Sequence, residues 1–511
     1  MGLVNAWNEL WKPNPTTMPT KRRRSFAGAE VNRLTAGWVT SVQSADSEIK
    51  GSLKKLRNRS RQLVRDVDYC KNAIRAITDN VVGTGVRLQS QVRQQRGGKL
   101  NQRVNDSIER AWKKWGHADS CDVSGKLCFD DLTRAAVSSW AESGEVFIRI
   151  IRGKQFGNSE IPFALQILES DMVDEDYQGK AQRKGWEWRM GVLCDQWQRP
   201  QKFAFFSRHP GDTLFVSQPA AEDRHVFVDA KDVIHLARFE RPGQTRGIPW
   251  MASAIQRMHH LEGYEQAEIV RARASSALMA WIQSPEGELE GDGIEDDERV
   301  YDMEPGAIRY LGSGESVHVP DLNAPDGQFE PFLRSMLRAL AAGIGCSYET
   351  ISRDYSQTNY SSSRLSLLQD QEAFKALQYQ LREVFLEKVY NEWLEIAVLS
   401  GVLSLPTYQA EPERYQMAKW LFRGWGWVDP MKEVQSAQLA VKSGFKTQSM
   451  VLAETTGMDL EEFLVARKNE IDLAEQLGLK FDTEAVATPT QTEAKVDEKT
   501  DEDVDDDGEQ T

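Results

Sequence analysis

Apolar side chains in the first half of the chain follow helical spacing and strand-like spacing in turn. Between residues 50 and 82 they recur at helical intervals, at Leu56, Leu63, Val67, Cys70, Ile74 and Ile77. The Gly-Thr-Gly sequence at 83–85 is expected to end this helix, and two further helical patterns cover residues 105–117 and 130–144. Runs of β-branched and aromatic residues predict strands at 86–92, 145–151, 163–168, 202–207, 225–230 and 232–238. The pattern predicts an α+β body, with helices around an antiparallel sheet.

Two long helical patterns follow this body. From Trp250 to Ser284 the only helix breaker is Gly263, and a helix of that length would extend roughly 50 Å at 1.5 Å per residue. That length suggests a spanning element. A second helical pattern starts at Phe329, and its small residues at 339–343 would let it approach a neighbouring helix closely.

The segment between the two long helices is strongly acidic. Residues 285–304 contain ten acids and one arginine. Beyond them, Ile308 and Tyr310 are expected to face Val317 and Val319 across a Gly-Ser-Gly-Glu turn, which is typical of a β-hairpin.

The last third of the chain is predicted to be mostly helical. A polar segment, SRDYSQTNYSSSRLS at 352–366, contains no aliphatic residue before Leu365. A long amphipathic helix is then marked by Leu377, Leu381, Val384, Phe385, Val389, Trp393 and Ile396. Short helices follow from residue 429, with expected N-caps at Asp429, Thr447 and Asp459 and expected ends at Gly444 and Gly457.

Composition is that of an ordinary soluble globular protein, with 40% hydrophobic and 27% charged residues. No apolar run approaches the roughly 20 residues that span a bilayer, and the first residues lack the features of a signal peptide. The five cysteines are odd in number and include no C-x-x-C pair, which indicates synthesis in a reducing compartment.

The net charge of −14 is concentrated at one end of the chain. Residues 482–511 contain twelve acids and two lysines, a balance of −10, so the remainder carries −14 + 10 = −4. The composition of residues 482–511 predicts a disordered, solvated acidic tail. Residues 1–30 form an expected flexible basic arm, in which residues 21–24 could touch nucleic acid, although a solvated arm is the favoured interpretation.

The motifs that usually identify an enzyme are missing from the sequence. There is no P-loop, no nucleophile elbow and no zinc-binding pattern, and adjacent His259 and His260 diverge on a helix. The acids of the DDER sequence at 296–299 would suit a metal-dependent nuclease, but a solvated loop is favoured. The sequence therefore predicts a non-enzymatic structural protein without cofactor or metal.

Five separated segments resemble, in the right order, the lambda-type family of bacteriophage portal proteins. They are LVRDVDYCKNAIRAITDNVVGTGVRLQS, WAESGEVFIRI followed by ILESDMVD, RPGQTRGIPWMASAI, GCSYETISRDYSQTNYSSSRLSLLQDQ and DPMKEVQSAQLAVKSG. The resemblance runs from about residue 50 to about residue 470. The arm before residue 30 and the tail after residue 481 lie outside it.

The resemblance implies a ring, usually a dodecamer, at one vertex of the capsid. Double-stranded DNA would enter through its channel, driven by the terminase large subunit, and later leave by it. The implied partners are further copies of the chain, DNA without sequence preference, terminase, the major capsid protein and scaffold, and head-tail connector proteins, with no membrane. The implied location is the virion, after synthesis in the host bacterial cytoplasm.

The family architecture divides the chain into named parts. In chain order these are a wing at 31–247, a first stem helix at 248–284, a clip at 285–328, a second stem helix at 329–352, a tunnel loop at 353–363, a long wing helix at 364–428 and a crown at 429–481.

The resemblance also implies two groups of functional residues. The expected tunnel-loop residues, facing DNA, are Arg353, Asp354, Tyr355, Gln357, Asn359, Tyr360, Ser361 and Arg364. The expected clip residues, facing terminase or the neck, are Glu295, Asp296, Asp297, Glu298, Arg309 and Tyr310. A buried or subunit-bridging loop is the alternative for the first group. The alternatives for the whole protein are a metal-dependent nuclease and a ring-shaped tail adaptor without DNA passage.

Overall fold

A computed structural model describes most of the chain. The described residues are 33, 37, 40–94, 100–153, 159–181, 183–214, 223–276, 281–283, 316–318, 329–357, 359–425, 430–456 and 460–479. Within them the α-helices are α1 (Ala45–Lys50), α2 (Leu53–Asp66), α3 (Asp68–Val81), α4 (Gln102–Trp115), α5 (Ala118–Cys121), α6 (Phe129–Ser143), α7 (Ile255–Ser276), α8 (Phe329–Ile344), α9 (Tyr348–Ser352), α10 (Tyr360–Leu381), α11 (Glu387–Leu399), α12 (Pro412–Tyr415), α13 (Pro430–Lys442), α14 (Gln448–Thr456) and α15 (Leu460–Gln476).

The described strands form small antiparallel sheets. They are β1 (Arg87–Ser90), β2 (Glu145–Arg152), β3 (Phe163–Leu168), β4 (Glu187–Arg189), β5 (Val192–Cys194), β6 (Pro200–Phe206), β7 (His225–Asp229), β8 (Val233–Ala237), β9 (Trp281–Gln283), β10 (Ser316–His318) and β11 (Ala418–Leu421). One sheet has the order β3-β2-β8, a second is the meander β4-β5-β6-β7, and β1-β11 and β9-β10 are two-stranded. The predicted α+β class is confirmed.

A large aromatic core joins the early helices to the late ones. The Trp112 ring of α4 lies 5.0 Å from the ring of Phe129 in α6 and 5.0 Å from that of Trp393 in α11. Trp420 of β11 packs on the same ring at 5.8 Å. Because such rings bury large apolar areas, this cluster fixes the C-terminal part of the body to its beginning.

The predicted helix over 50–82 is divided into α2 and α3. Val67 has extended backbone angles (φ −109°, ψ 116°) at the junction, and its side chain is buried. The apolar spacing continues across the break, because both helices pack on the same core. The predicted stop is confirmed, since α3 ends at Val81 and Gly83 is left-handed, with φ +65°.

The body meets the first long helix through two glycines. Gly144 follows α6 with φ +85°, and a Cβ there would lie 2.1 Å from the carbonyl carbon of Ile248. A Cβ on Gly247 would likewise lie 2.1 Å from the Gly144 carbonyl oxygen. No side chain fits between these two backbones, so both positions require glycine.

The long helices α7 and α8 pack side by side. The Tyr264 ring of α7 lies 5.8 Å from that of Phe329 and 4.9 Å from that of Phe332 in α8. A Cβ on Gly343 would come within 2.9 Å of the Ser253 Oγ. The small residues near 339–343 therefore do permit close approach to a neighbour.

Both predicted stem helices need correction. The first was expected over 248–284, but α7 covers Ile255–Ser276, and Trp281–Gln283 is strand β9. Its rise is about 33 Å, against the roughly 50 Å expected. The second was expected over 329–352, but α8 ends at Ile344 and left-handed Gly345 separates it from α9.

The predicted long wing helix over 364–428 is also wrong in its bounds. The helix begins at Tyr360, passes through a π-helical turn at Arg382–Leu386 and ends at Leu399. Left-handed Gly401 follows, and the chain then returns to the body as β11. A π-turn inside a long helix shifts which side chains face the core.

The short C-terminal helices agree with their predicted signals where these can be observed. The Thr447 Oγ1 accepts a hydrogen bond from the Met450 amide at 3.2 Å, which confirms that N-cap. Gly444 is left-handed with φ +74°, as expected of a helix stop. The other expected caps, Asp429 and Asp459, and the stop at Gly457 lie outside the described residues.

The predicted hairpin is described only in part. Ile308, Tyr310 and Val319 lie outside the described residues, whereas Val317 lies in β10 and pairs with Ile282 of β9. In the part of the chain that is described, no helix is both long and apolar enough to cross a membrane.

Candidate channel segment

The polar segment at 352–366, called the channel segment below, begins as a short loop between α9 and α10. The expected tunnel loop covered 353–363, but α10 starts at Tyr360 with Asn359 as its N-cap. Tyr360 and Ser361 therefore belong to the first turn of a helix. The loop proper is 353–359, and residue 358 is outside the described part.

Asp370 of α10 fixes the start of α9. Its buried carboxylate accepts hydrogen bonds from the Ser347 amide at 2.8 Å, the Ser347 hydroxyl at 2.7 Å and the Thr350 hydroxyl at 2.6 Å. The Ser347 Oγ also caps α9 by accepting from the Thr350 amide. Because hydrogen bonds to charged groups are the strong ones, Asp370 ties α9 to the helix on the far side of the loop.

The other end of α9 is fixed by α3. The side-chain amide of Asn72 donates to the carbonyl oxygens of Thr350 at 3.2 Å and Ile351 at 2.7 Å. Arg353 then turns the chain with left-handed angles, φ 57° and ψ 24°, and its amide donates to the Glu349 carbonyl at 2.8 Å. Arg353 therefore ends α9 through its backbone, and its side chain is exposed.

Asp354 organises the first part of the loop. Its carboxylate accepts from the Ser356 amide at 3.0 Å and from the Tyr348 hydroxyl at 3.0 Å. Hydrogen bonds from Ser356 and then from Tyr348 lower the pKa of Asp354 to about 2. The carboxylate is therefore ionised at neutral pH, and its hydrogen bonds hold the first part of the loop.

Arg334 of α8 supports the loop from beside it. Its guanidinium donates to the side-chain carbonyl of Gln357 and to Glu330, and lies 3.9 Å from the Asp354 carboxylate. The sequence patterns did not point to Arg334, nor to Asp370 and Asn72. The one local signal was the i,i+4 spacing of Glu330 and Arg334, which is common on helix surfaces.

A capping box starts α10. The Asn359 side chain accepts from the Ser362 amide at 2.8 Å, and the Asn359 amide donates to the Ser362 hydroxyl at 3.2 Å. This reciprocal pair satisfies two backbone amides that the helix end would leave open. Asn359 therefore has a structural role at the start of α10.

The exposed side chains of the loop are polar or aromatic. Arg353, Tyr355, Ser356 and Gln357 line its outer side, and Tyr355 keeps 62% of its accessible surface. Arg364 is half-buried and forms an ion pair of 3.2 Å with Glu433 of α13. The structure thus brings Arg353, Asp354, Tyr355 and Gln357 together in one loop, and it directs Arg364 toward the C-terminal helices.

The expected clip residues have no described position. Glu295, Asp296, Asp297, Glu298, Arg309 and Tyr310 all lie outside the described residues. The nuclease alternative rests on the same segment.

Elsewhere, Glu169, Asp171 and His209 lie close enough to share a metal ion. However, Arg61 contacts both carboxylates, and Arg57 lies 3.2 Å from Asp171. That cluster is an ion-pair network, because its negative charge is already matched by guanidinium groups.

Comparison with solved structures gives distant likenesses. A chain from the virion of a native gene transfer agent particle aligns with a TM-score of 0.44 at 14% identity, covering 79% of this chain and 92% of that chain. An HK97 family phage portal protein from Corynebacterium diphtheriae aligns with a TM-score of 0.30 at 10% identity, covering 61% of this chain and 85% of that one.

Comparison with known sequences is more informative. A probable portal protein of Halomonas phage phiHAP-1 is 28% identical over 500 residues, covering 94% of each chain. Portal protein B of Escherichia phage lambda is 25% identical over 499 residues, covering 87% of this chain and 88% of the relative. The profile described as "Phage portal protein, lambda family" matches residues 31–378. Because this match spans more than half of the sequence, the chain belongs to the lambda family of phage portal proteins.

Proposed function

We propose that copies of this portal protein close into a ring, a dodecamer, at one capsid vertex, and that double-stranded DNA enters and leaves the head through its channel. The observation that carries this proposal is the loop at 353–359. The helix before it is held by Asp370 and Asn72, and the Asn359 capping box closes its other end, yet the loop presents polar, weakly charged side chains to solvent. Family membership supplies the context in which such a loop would face DNA.

The proposed parts of the chain keep the expected wing, clip and crown ranges, and take the observed helices for the stem and the long wing helix. Residues 31–247 and the helices α10 and α11 would form the wing, α7 and α8 the stem, 285–328 the clip, and 429–481 the crown. The packing of Tyr264 on Phe329 and Phe332 supports a paired stem.

The loop's chemistry suits a surface over which DNA slides. Tight binding to DNA comes from several Lys and Arg contacts that release counterions. In the loop the one cation is Arg353, and ionised Asp354 is its neighbour. Tyr355, Gln357 and the nearby serines offer hydrogen bonds to phosphate oxygens that carry no sequence information. A ring repeats each weak contact, so weak binding by each subunit is what movement requires.

The proposed partners follow from the same position. The terminase large subunit and later the head-tail connector proteins would dock on the clip, and the major capsid protein and scaffold would surround the wing. The proposed location is the portal vertex of the virion, after synthesis in the host cytoplasm. We propose no enzymatic activity for the chain.

Packaging assays test the role of the loop. The variant Tyr355→Ala/Asn359→Ala/Tyr360→Ala is expected to lower the amount of DNA packaged while its rings still form. Since loss of the Asn359 cap costs about 1 kcal/mol of helix stability, the double variant Tyr355→Ala/Tyr360→Ala, which retains the cap, is tested beside it. Tyr379→Ala serves as a control, because Tyr379 is an exposed tyrosine of α10 far along the helix from the loop. Wild-type packaging by both loop variants would contradict the assignment.

Imaging and incubation with DNA separate the remaining alternatives. Electron microscopy down the symmetry axis should show a ring with a hole that admits duplex DNA, and particles without such a hole would contradict the proposal. Incubation with DNA and divalent cations should give no cleavage. Cleavage that disappears in Asp296→Ala/Asp297→Ala would instead establish the nuclease.

A further inference from the structure

Large apolar side chains are exposed along the C-terminal helices α13, α14 and α15. Of the 27 exposed large apolar side chains among the described residues, eleven lie within 430–479, and each keeps between 36% and 84% of its accessible surface. No described side chain of α13 is buried, and Ala474 of α15 is the one buried apolar side chain that the structure describes in this range. The described part of the chain therefore leaves the apolar faces of these helices uncovered.

The uncovered area is comparable with that of a stable protein interface. A fully exposed large apolar side chain contributes roughly 100 Å², so the eleven side chains leave about 600 Å² of apolar surface on each copy. One partner contributes about 800 Å² to a standard interface, and a little over half of that area is apolar. The C-terminal helices of one copy thus expose as much apolar surface as such an interface uses.

Two exposed pairs of apolar residues lie on opposite sides of α15. An α-helix turns about 100° per residue, so Leu464 and Ile471 lie about 60–80° to one side of buried Ala474 around the helix axis. Leu473 and Leu477 lie about 60–100° to the other side. The amide of Leu477 donates to the Leu473 carbonyl at 3.0 Å, so the helical turn continues to that residue. The first pair is called flank A and the second pair flank B.

Two opposed flanks identify the partner as further copies of this chain. A different protein docked on one side would cover one flank, and a two-fold dimer would pair one flank with itself. In a closed ring each copy has a neighbour on both sides, related by the same rotation, so flank A of one copy meets flank B of the next. The acidic tail of the chain is a poor cover, because residues 482–511 contain three valines and no other large apolar residue.

The symmetry of a ring also predicts which residues meet. Equivalent residues of all copies lie at the same level along the axis of a cyclic ring, so residues that are close in sequence face each other across the contact. Ile471 of flank A and Leu473 of flank B are two residues apart and point to opposite sides of α15. The side chain of Ile471 should therefore meet Leu473 of the neighbouring copy.

We propose that the α15 helices of neighbouring copies pack side by side around the ring, with Leu464 and Ile471 of one copy against Leu473 and Leu477 of the next. The proposal rests on the proposed function, because it needs the ring, and it adds one contact through which the ring closes. The C-terminal helices then gain the cover for their apolar faces only when the ring forms.

Cysteine cross-linking of assembled full-length rings tests this contact. The variant Ile471→Cys/Leu473→Cys, treated with a short bis-maleimide reagent, should give a ladder of covalent oligomers on a denaturing gel. Ile471→Cys and Leu473→Cys alone should give no more oligomers than wild type, because neither flank meets itself. Wild type measures the background from the five native cysteines. Asp472→Cys/Gln476→Cys, at exposed positions of α15 on the side away from Ala474, is the matched control and should give no ladder.

Truncation to alanine measures what the contact contributes. Leu464→Ala/Ile471→Ala and Leu473→Ala/Leu477→Ala should both keep α15 helical, since alanine is the best helix former. Each should raise the subunit concentration at which half of the rings dissociate by roughly tenfold, because burial of about one large apolar side chain is lost at every contact. Sedimentation measures this concentration.

The two truncations together should cost less than the sum of their separate effects, because they remove the same contact. Asp472→Ala/Gln476→Ala is the control for sequence changes in α15 that touch neither flank, and it should dissociate like wild type.

The outcomes separate this proposal from the proposed function. If electron microscopy shows rings but Ile471→Cys/Leu473→Cys gives no ladder, the α15 contact is wrong and the ring stands. Cross-linked dimers of either single-cysteine variant beyond the wild-type background would also overturn the contact, because one flank would then meet itself. Truncation variants that dissociate like their control would overturn it as well. Wild-type protein that forms no rings would contradict the proposed function itself.

Discussion

One buried carboxylate, that of Glu145, joins three parts of the body. Its Oε1 accepts from the Nε of Arg246 at 2.8 Å and from the Nη1 of Arg57 in α2 at 3.3 Å. Its Oε2 accepts from the Gly247 amide at 2.9 Å and lies 2.8 Å from the Nε2 of His235 in β8. Burial by itself would raise the pKa of Glu145, but Arg246 and then His235 outweigh burial and hold that pKa far below its usual value. The carboxylate therefore fastens the segment that leads into α7 to the body.

Glu145→Gln is expected to destabilise the protein strongly. The variant leaves the fully buried guanidinium groups of Arg246 and Arg57 without their shared anion, and breaking a buried ion pair on one side costs about 3–5 kcal/mol. Thermal unfolding of the full chain measures the loss. Glu142→Gln, two residues before Gly144, is the control. Because burial raises the pKa of Glu142, neutralising it should leave stability nearly unchanged, and equal losses in both variants would contradict this account.

The same carboxylate predicts how stability depends on pH. The pKa of Glu145 in the folded state lies below its ordinary value of 4.5, so the unfolded chain takes up the proton first as the pH falls. Its stabilising contribution is complete above about pH 4.5 and declines at lower pH. The stability difference between wild type and Glu145→Gln should therefore shrink as the pH falls below 5. The ratio of their unfolding equilibrium constants should change by at most roughly tenfold per pH unit, and the difference in unfolding temperature should shrink with it. A difference that stays constant over this range would disprove the linkage.

At the scale of elements, the channel segment is held by neighbouring helices in addition to its own contacts. Asp370 of α10 fixes the start of α9 and Asn72 of α3 fixes its end, so the loop at 353–359 leaves from a helix that is anchored at both ends. Cation–π contact of Arg338 with Tyr348, at 5.7 Å, adds a third support from α8. A loop anchored in this way can be polar and exposed and still keep one position.

Asp370→Ala should loosen the loop without unfolding the body. It removes three hydrogen bonds to one buried carboxylate, and a bond to a charged group is worth about 1.5–3 kcal/mol. Hydrogen exchange should become faster at the amides of residues 347–359, and DNA packaging should fall. Glu372→Ala is the matched control, since Glu372 is an exposed acid of the same helix paired with Lys375. Unchanged exchange at 347–359 in Asp370→Ala would show that other contacts hold α9.

At the scale of the whole molecule, the C-terminal acids set the net charge. Removing residues 482–511 changes the charge of a subunit from −14 to −4, and a ring multiplies this difference by the number of subunits. Long-range repulsion between the ring and DNA should then fall.

A chain ending at residue 481 should form rings of the same symmetry and bind duplex DNA more tightly at low salt. The gain should vanish near 1 M salt, where the screening length is only about 3 Å. Anisotropy titrations on wild-type and shortened rings measure this, and electron microscopy verifies the symmetry. A shortened ring with wild-type affinity at low salt would mean that the tail lies too far from the DNA path to affect it.

Much of the fold could be predicted because its signals are local. The strands β2, β3, β7 and β8 and the helices α4 and α6 lie close to their predicted positions, since apolar spacing and terminal glycines act within a few residues. The breaks were not predictable in the same way. Val67 and the π-turn at 382–386 lie inside continuous apolar patterns. Packing against several elements decides where the regular α-helical geometry is interrupted.

The sequence by itself determined the family, the α+β class, the polar character of the channel segment and the concentration of acid at the C-terminal end, because these depend on residue identity and spacing alone. Only the tertiary structure decided that Asp370 and Asn72 anchor α9, that Glu145 meets Arg246 and Arg57, and that Arg364 shares a cleft with Lys432 and Lys446. These partners are separated by tens to hundreds of residues. No local pattern encodes which distant side chain will pair with a buried charged group or line a given cleft.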